Sequence, residues 1–174
     1  IPNGPSASVS VAVSDNDTLQ ALVNPASVNV TEGQSAAVEV RLSHAPNSNL
    51  QLALALSDPS KAELSAQQII FTPANYQSLQ TVWITGTDDV DQANENLVLS
   101  LSSQGLTTLE VPVSVLDDDS LNLNLSESSL RLTEGGASQT FEVTLTSQPS
   151  TAFTVSLSAT SNAISISPST FTIQ

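Results

Sequence analysis

Seven stretches of this chain alternate apolar and polar residues: Ser27–Thr31, Ala36–Leu42, Leu50–Leu56, Gln67–Thr72, Leu79–Thr85, Glu95–Leu101 and Leu109–Val115. A period of two puts every second side chain on one face of a strand, and Val, Ile and Thr suit a pleated, half-buried surface. Asn, Pro, Gly and Ser break the runs every ten residues or so, and no run has a 3.6-residue period. The pattern therefore predicts an all-β fold, an immunoglobulin-like antiparallel β-sandwich without helix. Pro112 cannot donate to a ladder, which predicts an edge position or a bulge within the last run.

Two motifs recur at one offset. Thr-Glu-Gly stands at Thr31–Gly33 and again at Thr133–Gly135, a spacing of 133 − 31 = 102. "VSVAVSDNDTL" (Val9–Leu19) and "VPVSVLDDDSL" (Val111–Leu121) share it, with Asp15 matching Asp117. An internal repeat of this length is domain-sized rather than a solenoid unit. The expected organisation is a tandem array. Residues 1–17 are read as the C-terminal strand of a preceding unit, 18–119 as a complete sandwich, and 120–174 as the N-terminal half of a following one, the whole cut from a longer protein.

Composition narrows the chemistry. Cysteine is absent, so no disulfide, thiolate nucleophile or zinc–thiolate site exists. Three Lys and Arg against 17 Asp and Glu, a net charge of −14, argue against nucleic acid and against anionic membrane surfaces as partners. No apolar run approaches the ~20 residues of a membrane helix, so direct insertion is not expected.

The acidic residues are not spread evenly. If consecutive strands run antiparallel, the ends of the first, third, fifth and seventh segments share one pole. That pole receives Glu32, Asp58, Glu63, Asp88, Asp89, Asp91, Glu95 and Asp117–Asp119, ten of the twelve carboxylates between Thr18 and Asp119. Glu39 and Glu110 are the exceptions, and the loops "SHAPNSN", "PANYQS" and "SSQGLT" at the other pole carry no acid. Two like charges 4 Å apart cost ~1 kcal/mol even in bulk water, and several-fold more near a protein surface. A hard, oxygen-seeking divalent ion offsets such crowding, and flexible loops offering six to eight oxygens suit calcium.

"TEG" after the first strand, "ITGTDDVDQANENLVLSL" around the fifth and sixth, and "VSVLDDD" closing the last resemble the Calx-β domain. The resemblance covers one full copy and parts of two others. It implies calcium ligands from the Glu after the first strand, the acidic loop before the sixth and the closing Asp run. By position these are Glu32, Asp88, Asp89, Glu95, Asp117, Asp118 and Asp119, with the carbonyl of Val90. The sequence departs from that pattern at Thr87 and Gln92, where acids are usual, and Asp58 or Glu63 is read as a substitute for a missing Asp.

Other residues carry weaker signals. His44 sits in a loop at the uncharged pole, away from the acids a catalytic triad needs, and is read as a surface residue. Trp83 alternates with Val82 and Ile84, so either face is open to it; a core position is the first reading, and an outward Trp83 near Tyr76 would point to carbohydrate. The expected function is a calcium-binding spacer, not an enzyme, in a repeat array of a large secreted or cell-surface, adhesin-like bacterial protein. Its partners are calcium and the neighbouring repeats, with calcium stiffening the junctions. The rival is a sandwich module that binds a polysaccharide or a protein.

Overall fold

The computed structural model describes residues 4, 7–14 and 16–174; Asp15 and its proposed equivalence to Asp117 lie outside them. The strands are β1 (Ala21–Asn24), β2 (Val28–Thr31), β3 (Ser35–Leu42), β4 (Leu50–Leu56), β5 (Ala62–Leu64), β6 (Gln68–Phe71), β7 (Gln80–Gly86), β8 (Glu95–Ser102), β9 (Leu109–Leu116), β10 (Leu123–Leu125), β11 (Val143–Leu145), β12 (Phe153–Ser156) and β13 (Thr170–Ile173). No helix occurs among the described residues, so none is long and apolar enough to cross a membrane.

Strands β1 to β9 make an all-β sandwich of two sheets, ordered β1-β3-β7-β5 and β2-β9-β8-β4-β6. The alternation in each run decides what meets between them. Val38 and Val40 of β3, Val82 and Ile84 of β7, Leu99 of β8 and Val113 of β9 are all essentially inaccessible to solvent. Burying each such side chain stabilises the fold by about 1.5–3 kcal/mol.

The seven sequence segments become seven strands, and two more, β1 and β5, form from stretches that the alternation left out, each followed by a crossing to the other sheet. β1 pairs antiparallel with β3, and after Pro25–Ser27 the chain joins the second sheet as β2. β5 pairs with β7, and after Ser65–Gln67 the chain joins β4 as β6. Such crossings make the corners of sandwiches. They also correct one expectation: the sandwich is not wholly antiparallel, because β2 lies parallel to β9 through Val28↔Val113 to Thr31↔Leu116. Pro112 sits one residue before that ladder, where β9 has β8 on one side and no strand on the other.

Beyond β9 the chain forms two short ladders. In β10–β11, Leu123↔Leu145 to Leu125↔Val143 reproduces Ala21↔Leu42 to Val23↔Val40 of β1–β3, displaced by 102 on one strand and 103 on the other. In β12–β13, Phe153↔Ile173 likewise reproduces Leu50↔Phe71. These four strands do not close a core of their own, and Leu123, Leu125 and Leu132 stay about half exposed. Val9–Val13 forms no strand, and its valines are largely bare. An apolar alternation holds as a strand only where a neighbour accepts its ladder.

The single His is exposed, as the sequence predicts, but it is not away from every acid. His44 Nε2 lies 3.6 Å from Asp17 Oδ2, and its Nδ1 lies 3.0 Å from Ser43 Oγ. Yet Ser43 Oγ accepts the Gln20 N–H at 2.9 Å and donates to the Thr18 carbonyl at 3.4 Å. Thr146 Oγ1 does the same for Asn122 N at the start of β10–β11. The hydroxyl acts as a strand-end cap.

Candidate metal centre

The ends of β2, β4, β7 and β9 meet at one pole, and the acids come with them. Thr31 ends β2, and Glu32 follows with its backbone linking the two sheets, bridged to Gly86 of β7. Its backbone N–H donates to the Leu116 carbonyl at 3.0 Å, and Gly33 N donates to the Gly86 carbonyl at 3.0 Å. Gly33 takes φ 65°, the left-handed turn that favours glycine, so the chain reverses into β3 at once. Gly86 matters for a different reason. A Cβ there would lie 3.0 Å from the Thr31 carbonyl oxygen and 3.3 Å from Glu32 Cα, tighter than ordinary contact, so a side chain would crowd β7 against the turn after β2.

The result is a buried carboxylate. Glu32 is 2% exposed; its Oε2 accepts the Asp89 N–H at 3.3 Å, and its Oε1 has no hydrogen-bond partner. Around it lie two overlapping groups whose carboxylate oxygens come within 4.8 Å of one another: Glu32 with Asp89 and Glu95, and Glu32 with Asp88 and Asp118. Asp119 adds a second buried oxygen, Oδ2, without a partner. Burial pushes the Glu32 carboxyl above its ordinary value, and the charges of Asp89, Glu95 and Asp117 add to the rise. Burial also raises Asp119, reinforced by Asp117, Asp88 and Asp118. A carboxylate out of water without a counter-charge is costly.

Sequence-predicted residues separate into those that meet and those held elsewhere. Glu32, Asp88, Asp89, Glu95 and Asp118 converge. Asp117 lies beside them, in neither group; its N–H donates to Asn94 Oδ1 at 2.8 Å and its Oδ1 accepts Asp119 N–H at 3.3 Å. The Val90 carbonyl is turned to the following segment, where it accepts the Gln148 N–H. Asp58 does not replace a missing ligand: its Oδ1 accepts both the N–H and the hydroxyl of Ser60, which hold it below the usual carboxylate range. Glu63 is exposed on β5.

Lys61 is the further participant at this pole. Its Nζ lies 2.8 Å from Asp89 Oδ2 and 2.7 Å from Glu95 Oε1. Those two hydrogen bonds hold the ammonium charged far above neutrality, and the Lys61 bond holds Asp89 below its ordinary range. Its signal was available in principle, as the one cationic side chain in any of the acidic loops. The donor set suits a hard divalent cation. All the candidate groups are oxygens, several are unneutralised, and a buried one lacks any partner. Glu32, Asp88 and Asp118 would hold such an ion.

Trp83, assigned first to the core, is instead 49% exposed. Val82 and Ile84 fill the inner face of β7, so the alternation turns the indole out, opposite Ala37 of β3. Tyr76 packs against the core at the other pole, where its carbonyl accepts Leu42 N–H.

No protein-family model and no curated protein matches the chain. Among solved structures it is similar to a chain of a chaperone–tip adhesin complex of CFA/I fimbriae biogenesis, at 11% identity and a TM-score of 0.47, covering 63% of this chain and 62% of that one. Domains 4 and 5 of the S-layer protein SbsC share 22% identity at a TM-score of 0.43, with coverage of 61% and 57%. Domains 1–6 of SbsC share 16% at 0.45, with coverage of 94% and 22%. The chain thus spans less than two thirds of each of these structures, and the likeness is one of β-sandwich architecture.

Proposed function

We propose that this chain is a calcium-binding structural unit of a tandem sandwich array, of the Calx-β kind, in a large secreted or cell-surface protein with an adhesive role. One observation carries the reading: a carboxylate buried to 2% exposure, with an oxygen that lacks any partner, sits among acids from two further segments, the β7–β8 connection and the run after β9. Such an arrangement is unfavourable for a neutral purpose and suited to a cation. The site's position gives the ion a mechanical role. Asp117–Asp119 closes β9 and is followed within a few residues by β10, while Gln148 reaches back to Val90. A cation that ties the closing Asp run to Glu32 fixes the direction in which the next unit leaves. We assign the unit no catalytic role. Calcium titration followed by thermal unfolding tests the reading: a rise in melting temperature with calcium supports it, and identical melting in calcium and chelator sinks it.

A second reading has its own observation. Trp83 stands on the outer face of the first sheet, among the hydroxyls of Thr81 and Thr85, a setting suited to stacking on a sugar ring or to a protein contact. Binding of soluble polysaccharides that quenches Trp83 fluorescence, and is lost in Trp83→Ala, would favour it over the spacer.

A further inference from the structure

We infer that Lys61 is the resident cation of the inner half of the acidic pole, so that the sandwich takes one divalent ion, in the outer half. The inference rests on the cation reading above and names which part of the site is available to it. The two carboxylate groups share only Glu32. In the inner one, Lys61 Nζ already lies 2.8 Å from Asp89 Oδ2 and 2.7 Å from Glu95 Oε1. Calcium needs oxygens at ~2.3–2.6 Å, and in the inner group it would draw them from these same two carboxylates. Ammonium and ion therefore exclude each other there, by shared ligands and by like charge.

The lysine is held in place by more than its own ion pairs. Its carbonyl accepts Thr87 N–H at 3.0 Å, and the next residue, Ala62, is buried and paired with Gly86. The turn before it is pinned by Asp58, which binds the N–H and the hydroxyl of Ser60. The backbone thus delivers the ammonium to Asp89 and Glu95 and not to Asp88 and Asp118. No salt bridge to Asp88 or Asp118 occurs among the described residues, and the Oε1 of Glu32 and the Oδ2 of Asp119 have no hydrogen-bond partner. Lys61 is a stoichiometry-setting residue: a fixed positive charge that replaces one ion and leaves room for another.

The test counts bound calcium by equilibrium dialysis of the whole chain, with variants purified in calcium so that each is folded before dialysis. Wild type should bind one ion, Lys61→Gln two and Lys61→Arg one. Asp118→Asn should bind none, and Lys61→Gln with Asp118→Asn one. In chelator, Lys61→Gln should melt below wild type and recover in calcium, a readout that does not depend on the count. A folded Lys61→Gln that binds no more calcium than wild type overturns the inference, as does wild type binding two ions. If wild type binds none while Lys61→Gln binds one, Lys61 has the assigned role and the outer site is wrong. If no variant binds calcium, both readings fall.

Discussion

Glu32 and Gly86 face each other across an isolated parallel bridge, and a Cβ on Gly86 would lie 3.3 Å from Glu32 Cα. The bridge joins the end of β7, in one sheet, to the residue after β2, in the other, so the buried carboxylate is held by both layers. Gly86→Ala should push them apart and cost about 1–3 kcal/mol, in line with overpacking elsewhere. Urea unfolding in chelator checks this, and calcium affinity should fall with it. An alanine variant as stable as wild type would mean that the two layers yield freely here.

Glu32→Gln separates charge from shape. Removing the buried charge should raise stability in chelator, because nothing neutralises the free Oε1. The same change should abolish the response to calcium, which in wild type amounts to about 2.7 kcal/mol at one hundred times the dissociation constant. Paired urea melts with and without calcium read both effects. A variant less stable in chelator that still responds to calcium would contradict this account of the pole.

The pH dependence should differ with and without the ion. In chelator, Glu32 and Asp119 have folded-state pKa values raised above 4.5 and 3.8, their ordinary values. Their contribution is fully present below those values and is lost as pH rises through the folded values. The melting temperature should therefore increase from pH 7 toward pH 4.5. Asp89 runs the other way: its pKa is depressed from 3.8, so its pairing with Lys61 is lost as pH falls below that value. In calcium the rise on acidification should disappear, because protons compete for the same oxygens. Calorimetry across this range in both buffers decides the matter, and a parallel course in the two would count against the site.

The junction gives a mechanical prediction. On a chain extended through a complete following unit, small-angle scattering should show a narrower spread of inter-unit distances with calcium than with chelator. Asp118→Asn should remove the difference. If calcium binds and the spread stays the same, the ion serves the sandwich alone.

Trp83 and Ile84 are neighbours with opposite expected costs. Ile84→Ala opens the core and should cost about 2–5 kcal/mol, while Trp83→Ala, on the outer face, should cost well under that. Acrylamide should quench Trp83 fluorescence readily in the folded protein. Protection from acrylamide, or a core-sized loss on truncation, would return the indole to the interior.

Much of the framework was legible because alternation is a local property. Val82 and Ile84, or Val113 and Val115, alternate in the sequence and are buried in the fold, since a strand carries its two faces wherever it pairs. Antiparallel parity was enough to gather Glu32, Asp88, Asp89, Glu95 and Asp118 at one pole, for strand direction alone decides which loops are neighbours. Parity fixes an end, however, and not the atoms that meet there. Which acids share a cation depends on side-chain reach across loops up to 86 residues apart in sequence, from Glu32 to Asp118, and only packing sets that. The crossings at Pro25–Ser27 and Ser65–Gln67, and with them the parallel β2–β9 ladder, were hidden because β1 and β5, four and three residues long, are too short to display a period of two. The face taken by Trp83 was undecided for the same reason, a period of two being blind to which face is covered. Lys61 shows the boundary most clearly: a lone positive charge in sequence, it became the partner of Asp89 and Glu95 once β5 set its backbone beside Gly86 and Thr87. The chain's own pattern determined the strands, their alternating faces and the charged pole, while the tertiary structure alone decided the partners, because pairing between distant residues is a property of the packed layers and not of any one of them.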